Sequence, residues 1–407
     1  MMTMNAISRS TIAGMVQGEI DPAFAELADI FAANFEERGE VGASLSVFHE
    51  GRPVVDLWGG RKAADGAAWD ADTISIVWSS TKGIAAIAAH HAVEKGHIDL
   101  DVPVARYWPE FACEGKEEAT VAMILDHSVG VPALRDPVRP GGFADFDHMC
   151  DRVARERPFW VPGTRHGYHG HTYAWTVGGL FRRAVGVPLG DYIRSEIAGP
   201  LGADFWLGLP ASEHHRVATM IYPTDPLFGG KSRANDAIEN DPAAPFTLMM
   251  TNDGGYDCND PAYWGVEIGS LNGITNARGL ATIYSALANG ELLGRDTVAR
   301  MGRTASASHL DATLLMPMRF GSGFMKTTDN RRQPELVDCT LLMSEAAFGH
   351  VGFGGSVGFA DPGAGMGFGY TMNRMGAGVM VGPRAQLLID AAYRALGYRS
   401  NASGAWA

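Results

Sequence analysis

The spacing of apolar residues near the N-terminus predicts a helix followed by a hairpin. Between Asp21 and Gly39, apolar residues recur every three or four positions, and Asp21 is placed to cap the start of a helix. Two apolar-rich runs follow, at residues 43–47 and 53–58, and turn-prone residues separate them. We therefore expect an amphipathic helix that ends near a glycine and then an antiparallel hairpin.

The other end of the chain shows strands first and a helix last. Residues 348–360 and 365–373 have strand-like composition around a turn at residues 361–363. Residues 384–396 then have helical periodicity. Strand-forming segments are therefore expected at both ends of the chain.

The middle of the chain differs from both ends. Helical segments at residues 119–127 and 173–185 alternate with loops rich in Pro, Asp, Asn and Gly, and the stretch 222–265 is the longest of these loops. Long irregular stretches are expected where loops line a site. We predict an α+β fold with an antiparallel sheet built from both chain ends, residues 20–108 and 276–400, and flanked by helices. A mostly helical domain with long active-site loops is predicted at residues 109–275.

Composition and charge narrow the classes of function. The chain has 407 residues, of which 46% are hydrophobic and 19% charged, which suits a globular protein with a sizeable core. The net charge of −13 would repel a phosphate backbone or an anionic bilayer. We expect neither nucleic acid nor membrane as a partner, and the sequence leaves the oligomeric state undetermined.

Cysteine usage and the N-terminus bear on the compartment. The four cysteines are widely spaced, without a Cys-x-x-Cys pair, and are expected to be free thiols. Residues 1–18 carry no apolar run of signal-peptide length, and no later stretch approaches a membrane span. A cytoplasmic protein is expected.

A first candidate for chemistry is the Ser-x-x-Lys pair formed by Ser79 and Lys82, at the start of a predicted helix. Residues three apart share a helix face, so the Ser79 hydroxyl is expected beside the Lys82 amine. Burial at a helix N-terminus would favour the neutral amine, which can activate a nucleophile. The alternative is that Ser79 or Ser80 simply caps the helix.

Two further segments could complete a site. Tyr168 ends a turn-rich stretch, where its phenol could enter a cleft and a nearby lysine cation would favour the phenolate as a proton acceptor. The alternative is an ordinary packing aromatic. Small residues at 349–356 could let a substrate reach backbone amides, although such glycines could also mark a bulge.

Taken together and in order, Ser79 and Lys82, Tyr168 after residues 162–164, and the stretch His350 to Gly352 resemble the three motifs of serine β-lactamases and penicillin-binding proteins. The chain resembles most closely the esterases of that superfamily, the family VIII carboxylesterases related to class C β-lactamases. The resemblance covers most of the chain, and further landmarks lie at residues 98–104, 125–132 and 200–202. It implies the family's sheet domain beside a helical domain, with the active site between them.

The resemblance also implies roles for individual residues. Ser79 would be the nucleophile, Lys82 its activating partner and Tyr168 the proton shuttle toward the leaving group. The amides of Ser79 and Phe353 would form the oxyanion hole, because Phe353 follows the third motif as the family's donor residue does. His350 and Gly352 of that motif would contact the substrate.

Two departures from the family pattern favour an esterase over a β-lactamase. Gly170 stands where the tyrosine motif usually ends in Asn, and His350 stands where the third motif usually begins with Lys. Both changes remove groups that hold a β-lactam's amide and carboxylate. With a reference pKa of about 6.5, His350 is expected to gain charge, and to attract a carboxylate better, as the pH falls toward about 6.

Two other interpretations are weaker. Residues 354–358 match Gly-x-Ser-x-Gly, the nucleophile elbow of α/β-hydrolases, with Ser356 as its serine. That fold requires a later catalytic histidine, and no histidine follows His350. Histidines at 166, 169 and 171 could suggest zinc, but their spacing matches no metalloprotease pattern. We expect no metal and no other cofactor, and His169 and His171 are expected to border the cleft beside Tyr168.

The sequence thus predicts a serine carboxylesterase that acts on small-molecule esters of small to medium acyl chain length. Amide chemistry on the same scaffold is the first alternative: β-lactam or D-amino-acid peptide hydrolysis, or acyl transfer. A non-catalytic binding protein of the same fold is the second. The aromatic residues expected to line the pocket are Trp78, Trp160, Phe228, Tyr263 and Trp264.

Overall fold

The computed structural model describes residues 4–225, 227–230 and 232–407, and only the backbone of residues 228, 229, 337 and 338. Its strands are β1 Asn5–Thr11, β2 Gly14–Ile20, β3 Gly42–His49, β4 Arg52–Gly60, β5 Ser75–Ile76, β6 Phe205–Trp206, β7 Ile274–Thr275, β8 Ser306–Ser308, β9 Met318–Phe320, β10 Phe348–Val351, β11 Val357–Asp361 and β12 Met366–Met372. Its α-helices are α1 Ala25–Glu37, α2 Ser80–Glu94, α3 Val121–Leu125, α4 Phe146–Arg155, α5 Tyr173–Val185, α6 Leu189–Tyr192, α7 Gly199–Leu201, α8 Arg233–Asn240, α9 Pro245–Thr251, α10 Pro261–Trp264, α11 Ala277–Ala288, α12 Arg295–Gly302 and α13 Pro383–Ala395.

A seven-stranded antiparallel sheet combines the two ends of the chain. Its order is β1-β2-β4-β3-β12-β11-β10, so β3 and β12 join N-terminal and C-terminal strands at the centre. This confirms the predicted α+β class and the origin of the sheet. The sheet begins earlier than residue 20, however, because β1 and β2 add an edge hairpin. No residue of β1 is fully buried, and five of its seven residues are exposed, so it lacks the apolar alternation by which a strand is recognised.

The predicted helix and hairpin near the N-terminus are confirmed. The Asp21 side chain accepts a hydrogen bond from the amide of Ala23 and starts a 3₁₀ turn that runs into α1. β3 and β4 then pair, and Glu50 and Gly51 between them have φ of 49° and 74°. Positive φ at both positions gives the turn a twist that matches two paired strands.

The strand predicted over residues 348–360 is two strands, β10 and β11. Gly354 and Gly355 have φ of 87° and 118°, and the Gly352 amide donates to the Ser356 carbonyl at 2.7 Å, so the chain reverses there. Such φ values are open to glycine and strained for other residues. The turn at residues 361–363 and the helix α13 are found as predicted.

Helix α11 lies on the sheet because two strand residues lack side chains. It contacts β3, β11 and β12. A Cβ at Gly367 would come within 2.6 Å of the Ala281 carbonyl oxygen, and one at Gly369 within 3.0 Å of the Ala281 amide nitrogen. The glycines of β12 therefore set the distance between helix and sheet.

A buried ionic cluster ties the two chain ends together. The Glu40 side chain is fully buried beyond the end of α1, and Arg384 of α13 donates to it at 2.7 Å. The Tyr370 hydroxyl of β12 donates to the second carboxylate oxygen of Glu40. The Asn34 side chain of α1 donates to the Arg384 carbonyl at 3.1 Å. A buried charge is tolerated only with such partners.

The middle of the chain is more ordered than expected. Helix α5 has the predicted bounds, whereas the predicted helix 119–127 shortens to α3. The stretch 222–265, expected to be irregular, contains α8, α9 and α10. Helix α8 is short and polar, and its start depends on the Ser232 side chain, which accepts from the Asn235 amide at 3.1 Å. The division into two domains at residues 109 and 275 stays a prediction.

No helix within the described residues has both the length and the apolar character that crossing a bilayer requires.

Candidate active site

A cavity of about 190 Å³ opens beside the start of α2. It is mostly apolar, and its walls come from segments far apart in the sequence. The residues lining it are Trp78, Ser79, Tyr168, Gly170, His171, Tyr222, Met249, Met250, Asp253, Tyr256, Leu271, Leu314, Met325, Phe353 and Val379. The first motif supplies Ser79 to it and the second supplies Tyr168, and Phe353, which follows the third motif, also lines it.

Ser79 and Lys82 lie together at the turn that leads from β5 into α2. Lys82 Nζ is 3.0 Å from Ser79 Oγ. The Ser79 side chain makes no capping hydrogen bond to the helix, which argues against the capping interpretation. The residue before it, Trp78, has φ of 47°, a left-handed conformation that is strained for a bulky side chain. Such strain persists where the surroundings fix the turn, and here it presents Ser79 to the cavity.

Lys82 is held as a buried amine. Its side chain is fully buried, and Nζ lies 2.8 Å from the Gly170 carbonyl oxygen and 3.1 Å from that of Ser270. Burial lowers the pKa of Lys82 well below its ordinary value. A neutral amine has two N–H bonds, enough for the two carbonyls, and one lone pair left for the Ser79 hydroxyl proton. This arrangement suits a general base.

Tyr168 lies beside Lys82, with the amine 4.9 Å from the centre of its ring. Burial raises the pKa of Tyr168, and an interaction with the Ser79 side chain acts in the opposite direction. The phenolate expected from the sequence is therefore wrong, because burial disfavours both the lysine cation and the phenolate anion. The Tyr168 hydroxyl is available as a proton donor.

Asp311 fixes the loop that carries Tyr168, and sequence reasoning missed it. Its carboxylate is fully buried and accepts from the Tyr168 amide at 3.1 Å and from the Leu314 amide at 2.7 Å. His166 Nε2 lies 3.5 Å from the same carboxylate. Burial raises the pKa of Asp311 to about 6. No local motif marks Asp311, since its role depends on a contact between distant loops.

Two backbone amides border the cavity without a partner. Within the described residues, the amides of Ser79 and Phe353 donate no hydrogen bond. Unpaired amides beside a nucleophile can stabilise a developing oxyanion. The Gly352 amide, expected to contact substrate, is instead used in the turn between β10 and β11, where it donates to the Ser356 carbonyl.

His350 does not line the cavity, contrary to its expected contact with substrate. Its ring is buried behind Tyr168, with ring centres 6.0 Å apart, and its Nδ1 lies 2.8 Å from the Val351 carbonyl oxygen. Burial and the nearby Lys82 lower the pKa of His350 to about 3. The expected gain of charge near pH 6 is therefore wrong, because burial keeps the ring neutral.

The remaining motifs have structural roles. Ser356 of the Gly-x-Ser-x-Gly match is fully buried, and its hydroxyl donates to the Val77 carbonyl at 2.8 Å. It therefore fixes the turn before α2 and does not reach the cavity. Within the described residues, no three His, Cys, Asp or Glu side chains are grouped to hold a metal ion.

Of the aromatic residues expected in the pocket, Trp78 lies in it and three others do not. The Trp160 indole donates to the Ser128 carbonyl at 3.1 Å, and the Trp264 indole donates to the Cys258 carbonyl at 2.8 Å. Tyr263 packs its ring on Tyr256. The side chain of Phe228 lies outside the described part of the structure.

His169, expected to border the cleft, is also buried in the scaffold. Its Nδ1 lies 2.7 Å from the Gly167 carbonyl oxygen, and its Nε2 accepts from the Val131 amide at 3.0 Å. Both ring nitrogens are therefore satisfied by the backbone. Part of the cavity wall comes instead from the 222–265 stretch, through Tyr222, Met249, Met250, Asp253 and Tyr256. The expectation that this stretch lines a site is confirmed, although no local signal singled out these five residues.

Comparison with known proteins agrees with this geometry. The Beta-lactamase family model matches residues 27–393. The chain belongs to the beta-lactamase family. It is thus a hydrolase of the serine β-lactamase fold. A relative from Mycobacterium tuberculosis (strain ATCC 25618 / H37Rv), Esterase/beta-lactamase LipL, is 33% identical over 380 residues, which are 88% of this chain and 83% of the relative.

Solved structures of this family share the fold over nearly their whole length. A family VIII carboxylesterase is 37% identical with a TM-score of 0.81, covering 93% of this chain and 99% of that one. EstA from Arthrobacter nitroguajacolicus Rue61a is 30% identical with a TM-score of 0.81, covering 96% and 99%. A penicillin-binding protein homologue from Caulobacter crescentus is 33% identical with a TM-score of 0.82, covering 93% and 99%.

Proposed function

We propose that this beta-lactamase family member is a serine carboxylesterase that cleaves small-molecule esters of small to medium acyl chain length through an acyl-enzyme on Ser79. The observation that carries the proposal is the Ser79 Oγ to Lys82 Nζ distance of 3.0 Å at the floor of an apolar cavity. The similarity to a family VIII carboxylesterase and to LipL, which is named an esterase/beta-lactamase, supports the reaction class.

The proposed acylation begins with proton transfer from Ser79 to Lys82. The Ser79 oxygen attacks the ester carbonyl carbon, and the carbonyl π electrons move to oxygen, where the amides of Ser79 and Phe353 receive the charge. When the tetrahedral intermediate collapses, the bond to the alcohol oxygen breaks. Tyr168 donates its proton to that oxygen and is reprotonated from Lys82, so the alcohol leaves neutral.

Deacylation reverses these roles with water in place of the alcohol. Lys82, neutral again, accepts a proton from water through Tyr168, and the hydroxide attacks the acyl carbon. Collapse of the second intermediate breaks the bond to Ser79 Oγ, which takes its proton back. The products are one carboxylic acid and one alcohol for each ester and water consumed.

The walls of the cavity support the acyl-chain range. Six aliphatic or thioether side chains line it: Met249, Met250, Leu271, Leu314, Met325 and Val379. Apolar walls favour apolar acyl groups by about 0.8 kcal/mol for each buried methylene. A volume of about 190 Å³ restricts how long a chain can be buried. Turnover is expected to rise and then fall along the acyl series.

β-Lactam hydrolysis is the second candidate, because the name of LipL couples both activities. The test is a panel of p-nitrophenyl esters of increasing chain length beside a chromogenic cephalosporin. A larger kcat/KM for p-nitrophenyl butyrate supports the esterase. Equal or greater efficiency on the cephalosporin would favour a β-lactamase. Absence of labelling by a serine-reactive fluorophosphonate would favour a non-catalytic protein.

A further inference from the structure

The cavity holds one formal charge on its wall. Among the described residues that line it, Asp253 is the one side chain of the Asp, Glu, Lys or Arg type. It lies on the loop between α9 and α10, and Tyr256 of the same loop packs its ring against that of Trp78, the residue before Ser79. A carboxylate on a mostly apolar wall makes a negative contribution to the electrostatic potential in the cavity. The net charge of −13 for the whole chain contributes in the same direction.

The Asp253 carboxylate is oriented but not neutralised. Its Oδ1 accepts from the Gly255 amide at 2.9 Å, which fixes the side chain in a tight turn. Within the described residues, it forms no ion pair, and its second oxygen accepts no hydrogen bond. One carboxylate oxygen is therefore available for a ligand.

Aromatic rings surround the same space. The ring of Trp78 is 6.1 Å from that of Tyr256 at 81° and 5.7 Å from that of Phe353 at 85°. Tyr222 adds a fourth ring to the wall. Because neighbouring rings are nearly perpendicular, π faces point in more than one direction. Aromatic faces combined with a carboxylate are the chemistry that recognises an alkylammonium group.

The other titratable groups of the site do not oppose a cation. His171 lines the cavity, and burial with the nearby Lys82 lowers its pKa to about 3, so its ring is neutral near neutral pH. Burial likewise lowers the pKa of Lys82 well below its ordinary value. Among the side chains that line the cavity, Asp253 is therefore the source of formal charge.

We propose that Asp253 and the rings of Trp78, Tyr222, Tyr256 and Phe353 form an ammonium subsite, so that the preferred substrates are esters that carry a quaternary or primary ammonium group. This inference rests on the proposed esterase function and names the substrate class of the same cavity. The carboxylate supplies charge attraction and the rings supply cation–π contact. An anionic ester is correspondingly disfavoured.

The structure offers a matched pair of variants. Asp253→Asn removes the charge and keeps an oxygen that can accept from the Gly255 amide. Asp260→Asn is the control, since Asp260 makes a similar turn, accepting from the Ala262 amide at 2.9 Å, but lies outside the cavity. Both variants change the net charge equally, so they separate a local effect from the long-range field.

Two pairs of isosteric esters serve as probes. In the first pair the charge is in the alcohol: choline butyrate is compared with the neutral analogue in which carbon replaces the quaternary nitrogen. In the second pair the charge is in the acyl group: the p-nitrophenyl ester of a trimethylammonio-substituted butyric acid is compared with its neutral carbon analogue. The measured quantity is the kcat/KM ratio of charged to neutral ester within each pair.

We expect the wild-type protein to favour the charged ester in at least one pair. Asp253→Asn should lower that ratio by about fivefold or more, and the effect should shrink in high salt, whereas Asp260→Asn should leave the ratio unchanged. A wild-type preference for the neutral ester in both pairs would overturn the ammonium subsite and leave the esterase proposal standing. Equal effects of the two variants would also overturn it.

Binding without turnover distinguishes the two proposals. Benzyltrimethylammonium titrated calorimetrically into the wild-type protein should bind, and Asp253→Asn should weaken this binding by about fivefold. Binding of this probe in a protein that turns over no ester would reject the esterase and retain the subsite. No difference in affinity between the wild-type protein and Asp253→Asn would reject the subsite.

Discussion

Met249 occupies the space that a side chain at Gly170 would need. A Cβ built at Gly170 would lie 2.7 Å from Met249 Cγ and closer still to its sulfur. The absence of a side-chain amide at Gly170 therefore leaves the space that the Met249 thioether fills.

This contact predicts a coupled pair of substitutions. Gly170→Asn should destabilise the protein by about 1 to 3 kcal/mol, because it overpacks the wall. Adding Met249→Ala should recover most of that loss, so the double variant is more stable than the sum of the single effects predicts. Denaturant unfolding of all four proteins measures the coupling. Strictly additive changes would show that the two side chains do not compete for space.

Ser79→Ala should lower ester turnover by at least about a thousandfold, because it removes the hydroxyl on which the acyl-enzyme is proposed to form. Ser356→Ala is the matched control, and it should keep substantial activity because the buried Ser356 hydroxyl does not reach the cavity. Steady-state kinetics on p-nitrophenyl butyrate, with thermal melts to verify folding, give the comparison. The reverse result would restore the nucleophile-elbow interpretation.

Tyr168→Phe should lower kcat by about a hundredfold or more on a poorly activated alkyl ester, since it removes only the proton donor for the leaving alcohol. The loss should be smaller on a p-nitrophenyl ester, whose leaving group needs little protonation. Parallel assays on the two substrates measure the difference. Undiminished turnover of both would reject the role assigned to Tyr168.

The pH dependence of ester hydrolysis should have a rising limb and a broad plateau. Burial lowers the pKa of Lys82, so its basic form, and with it kcat/KM, increases as the pH rises through that lowered value. Burial raises the pKa of Tyr168, so the acid form persists, and a falling limb is expected only above about pH 10. A fall already near about pH 8, after correction for spontaneous hydrolysis, would contradict this assignment.

The ratio of cephalosporin to ester hydrolysis should stay flat between about pH 8 and pH 6. His350 has its pKa lowered to about 3, so it stays neutral over this range and cannot begin to attract a carboxylate. The wild-type protein, assayed on both substrates in one buffer series, provides the measurement. A ratio that increases toward acid would show that His350 titrates in that range.

Arg384→Met should destabilise the protein by about 3 to 5 kcal/mol, because it leaves the fully buried Glu40 without its cation. Arg394→Met is the control on the same helix, since Arg394 pairs with Glu26 at the surface and should cost less than about 1 kcal/mol. Denaturant unfolding compares the two. Similar costs would mean that the Glu40 pair behaves like a surface ion pair.

The sequence was most informative where a local pattern decides the structure. Helix α5, the hairpin of β3 and β4, and the Ser79 to Lys82 pairing depend on residues close in sequence. The sequence was least informative where distant segments meet. The hydrogen bond from the Tyr168 amide to the Asp311 carboxylate is an example, because 143 residues separate the two in sequence.

Residue type alone gave wrong predictions where burial changes the chemistry. His350 and Trp160 are polar or amphipathic side chains beside the expected motifs, and both are buried away from the cavity. Strand β1 was missed for a different reason: it has no apolar face, and its backbone pairing with β2 holds it in the sheet. Neither burial nor edge pairing can be read from a single segment of sequence.

The central strand pair has a consequence for synthesis of the chain. The hydroxyls of Ser44 in β3 and Thr371 in β12 lie 2.8 Å apart, yet 327 residues separate them in sequence. At a typical translation rate of about 5 to 20 residues per second, β12 is synthesised on the order of tens of seconds after β3, and until then one edge of β3 has no pairing strand. During that interval the nascent chain exposes an unpaired strand edge, a site of aggregation. Slower translation would therefore lower the soluble yield more than it would for a protein whose neighbouring strands are close in sequence.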